Sequence, residues 1–216
     1  MTKIFLIAGM GADTRIFNNI ELPSDYDVTP VDWIEPNPTD TLTTYAQKLI
    51  IQYNIKPNSI VIGNSLGGML AIEMAKLIKL KKVILISSIK TSDEFPRYYK
   101  LFRALPVYKL VPGKVFTSLG FIIRPIFGRL VNDDGWLFGD MLEKTSPTFL
   151  KWAMGAALYW KNDVILSNVH HIVGSKDKIF LSRHIQNATI IDGGTHVMII
   201  DRAKEINKWL KQVLKK

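Results

Sequence analysis

Residues 60–68 read Ile-Val-Ile-Gly-Asn-Ser-Leu-Gly-Gly, a β-branched apolar run that stops at Gly-x-Ser-x-Gly. A helical run from Met69 to Ile78 follows at once. A serine on so tight a strand-to-helix turn stands clear of its neighbours, as a nucleophile must. The residues two positions away must lack side chains, and Gly63 and Gly67 meet that demand. The helix begins directly behind Ser65, so its first N–H groups and positive dipole end face the reacting centre. A bare Gly-x-Ser-x-Gly would read as a serine N-cap in an ordinary βα loop. The flanking strand and helix reverse that preference.

A serine hydroxyl is a poor nucleophile until a base takes its proton. The chain has four histidines. His196, in Gly193-Gly194-Thr195-His196, sits on a glycine turn between a candidate strand and the last helix. That position suits a loop reaching back over a sheet edge. His170 and His171 open a strand and His184 lies in a polar stretch, so these three read as surface or structural. The base in turn needs a carboxylate to fix its tautomer and stabilise its cation. Asp177, in Gly174-Ser175-Lys176-Asp177, follows the candidate strand Val169–Val173 and lies at the same edge. Its competing reading is a loop aspartate that caps a helix or pairs with Lys176 or Lys178. Asp93, just beyond the strand ending near Ser87, is the reserve candidate.

Acyl transfer also needs two donors for the developing oxyanion, and losing one typically costs roughly 2.7–4 kcal/mol. The N–H of Leu66 is expected to supply one. The N–H of Met10, in Ala8-Gly9-Met10-Gly11-Ala12-Asp13, is expected to supply the other, with Gly9 and Gly11 letting that backbone approach the serine. A phosphate-binding loop is the weaker reading, because neither Gly-x-Gly-x-x-Gly nor a Walker pattern is present.

These groups need a scaffold. Candidate strands are Lys3–Ala8, Asp27–Val31, Ser59–Ile62, Lys82–Ser87, Val169–Val173 and Ala188–Ile191; candidate helices are Leu42–Tyr53, Leu66–Ile78 and Ala203–Leu214. The alternation implies βαβ units and a parallel sheet with helices on both faces. The near-continuous apolar strands fit a sheet covered on both sides. Thr41 or Asp40 is placed to cap the first long helix. The alternation breaks between about Lys90 and Asp163, a region rich in Phe, Leu, Tyr and Trp and punctuated by Pro96, Pro106, Pro112, Pro125 and Pro147. It reads as several short helices inserted between two strands. Its apolar pieces, Leu119–Ile123 and Ala153–Trp160, either pack on themselves or line an acyl pocket beneath a lid.

At 216 residues the chain suits one domain, 1–216, with residues 90–163 as an inserted helical cap. Hydrophobic residues make up 47% and charged residues 22%, an ordinary globular balance. No apolar run approaches the roughly 20 residues of a membrane span, so no stable membrane insertion is expected. The apolar start reads as a buried first strand rather than a signal peptide, since its run is short and Asp13 follows quickly. Zero cysteines exclude disulfides, thiolate nucleophiles and Cys-ligated metals, and fit a cytoplasmic location. The net charge of +9 is scattered, apart from the last helix, where Arg202, Lys204, Lys208, Lys211, Lys215 and Lys216 form the wet face of an amphipathic segment. With no nucleic-acid motif, a solvated basic surface outweighs nucleic-acid binding, although such a surface favours anionic substrates or membrane surfaces at long range.

Together these residues resemble the α/β-hydrolase superfamily. Gly63-Asn64-Ser65-Leu66-Gly67-Gly68 matches its nucleophile elbow, Gly174-Ser175-Lys176-Asp177 its acid loop, and Gly193-Gly194-Thr195-His196 its histidine loop. Ala8-Gly9-Met10-Gly11 is similar to its His-Gly oxyanion loop, with alanine in place of the usual histidine. The order Ser65, Asp177, His196 is the family's chain order. The resemblance implies a compact α/β-hydrolase fold that begins at the family's third strand, with a mostly parallel six-stranded sheet and a helical cap. It also implies hydrolysis of an ester, thioester or related bond.

The expectation is a serine esterase of carboxylesterase type with no metal or organic cofactor, acting on a small-molecule ester with an apolar acyl or alkyl group. Thioester, lactone, amide and C–C hydrolysis use the same catalytic groups, and the oligomeric state is left open. Two other classes compete: a non-catalytic ligand-binding relative, and a lipid- or surface-associated protein using the apolar insertion and basic face.

Overall fold

The computed structural model describes residues 1–106 and 133–215, the side chains of 133–136 excepted. Six strands, β1 (Thr2–Ile7), β2 (Tyr26–Val31), β3 (Ile60–Asn64), β4 (Lys82–Ile86), β5 (Val169–Gly174) and β6 (Thr189–Ile191), form one sheet in the order β2-β1-β3-β4-β5-β6. All five pairings are parallel, so the expected parallel sheet is realised throughout. The chain crosses from β1 to β2 on one side and places β3 on the other. The crevice beyond the C-terminal ends of β1 and β3 is therefore the point at which strand order reverses, where open α/β sheets bind ligands. The loop at Gly9 and the serine turn at Ser65 both leave the sheet there.

The sheet is covered on both faces, and the strand residues alternate between them. Phe5, Ile7, Val61, Val83 and Leu85 pack on one side against α1 (Leu42–Gln52) and α2 (Leu66–Leu77). Ile4, Leu6, Ile60, Ile62, Ile84 and Ile86 pack on the other against α6 (Met198–Asp201) and α7 (Ala203–Lys215). This two-residue period places an apolar side chain on each face at every step. Thr41 caps α1, its hydroxyl accepting from the Thr44 N–H at 3.2 Å. On α7, Ile206, Leu210, Val213 and Leu214 are buried while Lys204, Lys208, Lys211 and Lys215 are exposed, as the amphipathic reading expected. Among the described residues no helix is long and apolar enough to cross a membrane.

Between β4 and β5 the described residues form α3 (Tyr99–Ala104), α4 (Asp133–Lys144) and α5 (Pro147–Leu158), with no strand. Leu119–Ile123, one of the expected apolar pieces, lies outside the described residues. The other, Ala153–Trp160, ends α5 and buries Ala153, Leu158 and Trp160. Trp160 donates its indole N–H to Glu73 on α2 at 2.8 Å. Residues of α4 reach the loop after β1: Leu142 lies against Gly11, and Arg15 joins Asp13 and Asp140 in ion pairs of 2.7 and 2.6 Å.

Candidate active site

Ser65 stands between β3 and α2 with φ 51°, ψ −115°, in the positive-φ region that side-chain-bearing residues rarely adopt. Such a conformation costs about 1–3 kcal/mol and persists only where its surroundings hold it. Those surroundings are specific. The Ser65 N–H donates to the Ile86 carbonyl at 2.9 Å, and the Ser65 carbonyl accepts from the Gly68 N–H at 3.0 Å. A Cβ on Gly63 would lie 2.2 Å from the Gly67 oxygen, and one on Gly67 would lie 2.2 Å from the Ile7 oxygen. Both positions require glycine, as expected, but because of backbone-to-backbone approach to Gly67 and Ile7 rather than collision with the serine.

His196 Nε2 lies 2.9 Å from Ser65 Oγ, and His196 Nδ1 lies 2.9 Å from Asp177 Oδ2. The imidazole and carboxylate are buried, with Ser65 only partly so. Asp177 Oδ1 accepts from the N–H groups of Ile179 (2.8 Å) and Phe180 (2.9 Å), which fixes the carboxylate plane. An ionised carboxylate only accepts, so it holds the imidazole hydrogen on Nδ1 and leaves the Nε2 lone pair facing the serine hydroxyl. Phe180 closes one side of the imidazole, edge to face at 5.5 Å between centroids. Asp93 is exposed on a short 3-10 turn. The carboxylate at the histidine is Asp177.

The acid and histidine loops are built as one unit. Lys176 N–H donates to the Gly194 carbonyl at 2.8 Å, and Gly193 N–H donates to Ser175 Oγ at 2.8 Å. A Cβ on Gly174 would sit 2.1 Å from the Gly194 oxygen. Gly174→Ala should therefore push the two loops apart. Overpacking typically costs about 1–3 kcal/mol and occasionally more; with backbone on both sides the upper end applies, a melting point roughly 6–12 °C lower for a chain of this size. A thermal unfolding scan reads it directly.

At the other edge of Ser65, a Cβ on Gly9 would stand 3.0 Å from Asn64 Nδ2 and 3.2 Å from the Ser65 Cβ. The Gly9 backbone thus passes directly beside the serine. Leu66 is the first residue of α2, so its N–H has no acceptor within the helix.

Two further residues join the site: Ser88, which the sequence did not single out, and His171, read there as surface or structural. Ser88, fully buried beyond β4, donates its hydroxyl to the Ser65 carbonyl at 2.7 Å. His171 on β5 is buried, with Nε2 3.0 Å from the Ser88 carbonyl and Nδ1 3.3 Å from Lys90 Nζ. Burial pushes the His171 imidazole down to about 3, and the positive charge of Lys90 acts in the same direction against the Ser88 hydrogen bond. The unfolded chain takes up this proton near 6.5, whereas the fold resists it until about 3. Folding stability is therefore lost as pH falls from about 6.5 towards 3. Lys90, itself paired with Glu94, is the charged group at this ring. In His171→Gln the fall of melting temperature between pH 7 and pH 4.5 should be shallower than in the wild type. Equal slopes would contradict the assignment.

The alpha/beta hydrolase family model matches residues 5–209. No curated protein matches the chain. Among solved structures, a carboxylesterase of the ammonia-oxidizing thaumarchaeon Nitrososphaera gargenis is similar at 19% identity and TM-score 0.76, over 99% of this chain and 90% of that one. An esterase from Exiguobacterium antarcticum is similar at 16% identity and TM-score 0.71, over 100% and 92%. An enol-lactonase from Burkholderia xenovorans LB400 is similar at 14% identity and TM-score 0.77, over 100% and 92%. At these identities the likeness is one of fold.

Proposed function

Since the chain belongs to the alpha/beta hydrolase family, we propose that it is a serine hydrolase cleaving a small or apolar acyl ester through an acyl-enzyme intermediate. The observation that carries this reading is the unbroken chain of 2.9 Å contacts from Ser65 through His196 to Asp177.

In this reading Ser65 Oγ attacks the acyl carbonyl as His196 Nε2 takes its proton. Asp177 holds the imidazole and stabilises its cation. The carbonyl oxygen becomes an oxyanion, bound by the N–H groups of Leu66 and Met10. The imidazolium returns the proton to the leaving alcohol as the C–O bond breaks, leaving Ser65 acylated. His196 then takes a proton from water, which attacks the acyl carbon, and the acid departs with Ser65 restored. The proton transfers run through His196 Nε2, 2.9 Å from Ser65 Oγ, and no cofactor enters the scheme.

We assign residues 90–163 as a cap within a single domain. The support is the contact of α4 and α5 with Gly11, made through Leu142 and Leu150, one loop from the serine. The apolar side chains of such a cap suit an acyl or alkyl chain. A panel of p-nitrophenyl esters of rising acyl length, run on the wild type beside Ser65→Ala, tests the proposal. Turnover in the wild type is expected, with a loss far above 100-fold in the variant. A loss of less than about 100-fold, or turnover absent from both, overturns it.

A further inference from the structure

We propose that Ser88 and His171 are positioning residues that aim one oxyanion donor, the N–H of Leu66; this deepens the serine-hydrolase reading and rests on it. The Ser65 carbonyl and the Leu66 N–H belong to one planar, trans peptide unit, so fixing the direction of the first fixes the second. The Ser88 hydroxyl holds that carbonyl at 2.7 Å. The preceding peptide is held separately, by the Ser65 N–H on Ile86. Ser88 packs flush on α2: a Cβ on Gly68 would meet Ser88 Oγ at 2.4 Å and its Cβ at 2.6 Å.

Ser88 is itself anchored. Lys90 Nζ donates to Glu94 Oε1 at 2.7 Å and to the Gln186 carbonyl, and its third hydrogen faces His171 Nδ1 at 3.3 Å. An ammonium has three donors and no acceptor, so His171 Nδ1 must accept. The neutral ring then carries its hydrogen on Nε2 and donates it to the Ser88 carbonyl at 3.0 Å. The tautomer follows from the chemistry of its neighbour. A continuous run of donors thus leads from Lys90 through His171 and Ser88 to the Ser65–Leu66 peptide. It meets Ser65 at its backbone, whereas His196 meets it at Oγ. Lys90 and Glu94 open the proposed cap, so the base of the cap is bonded to the serine turn.

The experiment compares Ser88→Ala with the wild type, each checked for folding by circular dichroism. The readouts are kcat and KM for p-nitrophenyl butyrate and affinity for an alkyl trifluoromethyl ketone, which forms an oxyanion on the serine. A mis-aimed donor should cost less than the roughly 10²–10³-fold of one removed outright. A fall in kcat on the order of 10-fold is expected, with KM little changed and ketone affinity falling by a similar factor, since the donor acts on the transition state. His171→Leu should shift the same quantities the same way, and His171→Gln, which keeps a donor, should recover most of the loss. Wild-type kcat and ketone affinity in a folded Ser88→Ala protein overturn the proposal. So does a loss of turnover that leaves ketone affinity untouched. If the wild type turns over no ester, the serine-hydrolase reading falls on its own. The brace is then read from amide hydrogen exchange over residues 65–69: faster exchange in Ser88→Ala supports it, and unchanged exchange overturns it.

Discussion

Replacing Ser65 by alanine should lower ester turnover on the order of 10⁶-fold, the scale seen when the nucleophile of such a catalytic unit is removed. Alanine keeps the Cβ and the backbone. The 2.9 Å N–H contact to Ile86 and the carbonyl contacts to Gly68 and Ser88 do not involve Oγ. The substitution therefore removes the attacking atom with little effect on the turn that presented it, and the melting point should stay near the wild-type value. The parts act together: without Oγ, the base has no proton to take and the acyl intermediate cannot form. A residual rate about 10³–10⁴-fold over water should persist if the donors at Leu66 and Met10 still receive the carbonyl oxygen. Steady-state assays on p-nitrophenyl butyrate at high enzyme concentration reach that range. A loss of less than about 100-fold would mean that another group attacks.

Asp177→Asn should cost about 10⁴-fold in kcat, by holding the wrong tautomer of His196. The two backbone N–H groups of Ile179 and Phe180 point at Oδ1 and can only donate. An asparagine must turn its carbonyl oxygen toward them, which aims its NH₂ at His196 Nδ1. Two donors cannot face each other, so Nδ1 must become the acceptor and Nε2 must carry the hydrogen. The nitrogen facing Ser65 then has no lone pair to take the serine proton. Geometry survives and basicity at the right place does not. The fold should hold, because the carbonyl still satisfies the two backbone donors. Turnover within about 10-fold of wild type would show that Asp177 does not set the tautomer.

Much of the turn that carries Ser65 was legible in the sequence, for local reasons. Gly63 and Gly67 announce the turn because only glycine tolerates backbone at 2.2 Å, and the requirement is carried by residues two positions from Ser65. Strand limits were less legible. The sequence reading ends the third strand at Ile62, before glycine, yet β3 runs on to Asn64 because Gly63 and Asn64 pair with Leu85 and Ile86. Partner strands, not local preference, decide where pairing stops. Asp93 and Asp177 both follow strands, and sequence alone ranks them only by loop context. What separates them in space is the glycine contact between Gly174 and Gly194, which ties the Asp177 loop to the His196 loop. Ser88 left no signal, and His171 read only as surface or structural. A serine after a strand and a histidine within one are common, and their relation to Ser65 spans 23 and 106 positions of chain. Only the adjacency of β3, β4 and β5 brings them together.

Ser65 should react as an alcohol activated by His196 and Asp177. The most direct test is reaction of the intact protein with a fluorophosphonate, followed by mass-spectrometric location of the adduct, on the wild type beside His196→Ala. One phosphonyl group is expected on the peptide that contains Ser65, formed within minutes at micromolar probe, with slow or no reaction in His196→Ala. An unmodified Ser65 peptide, or equal labelling in the two proteins, would contradict the account.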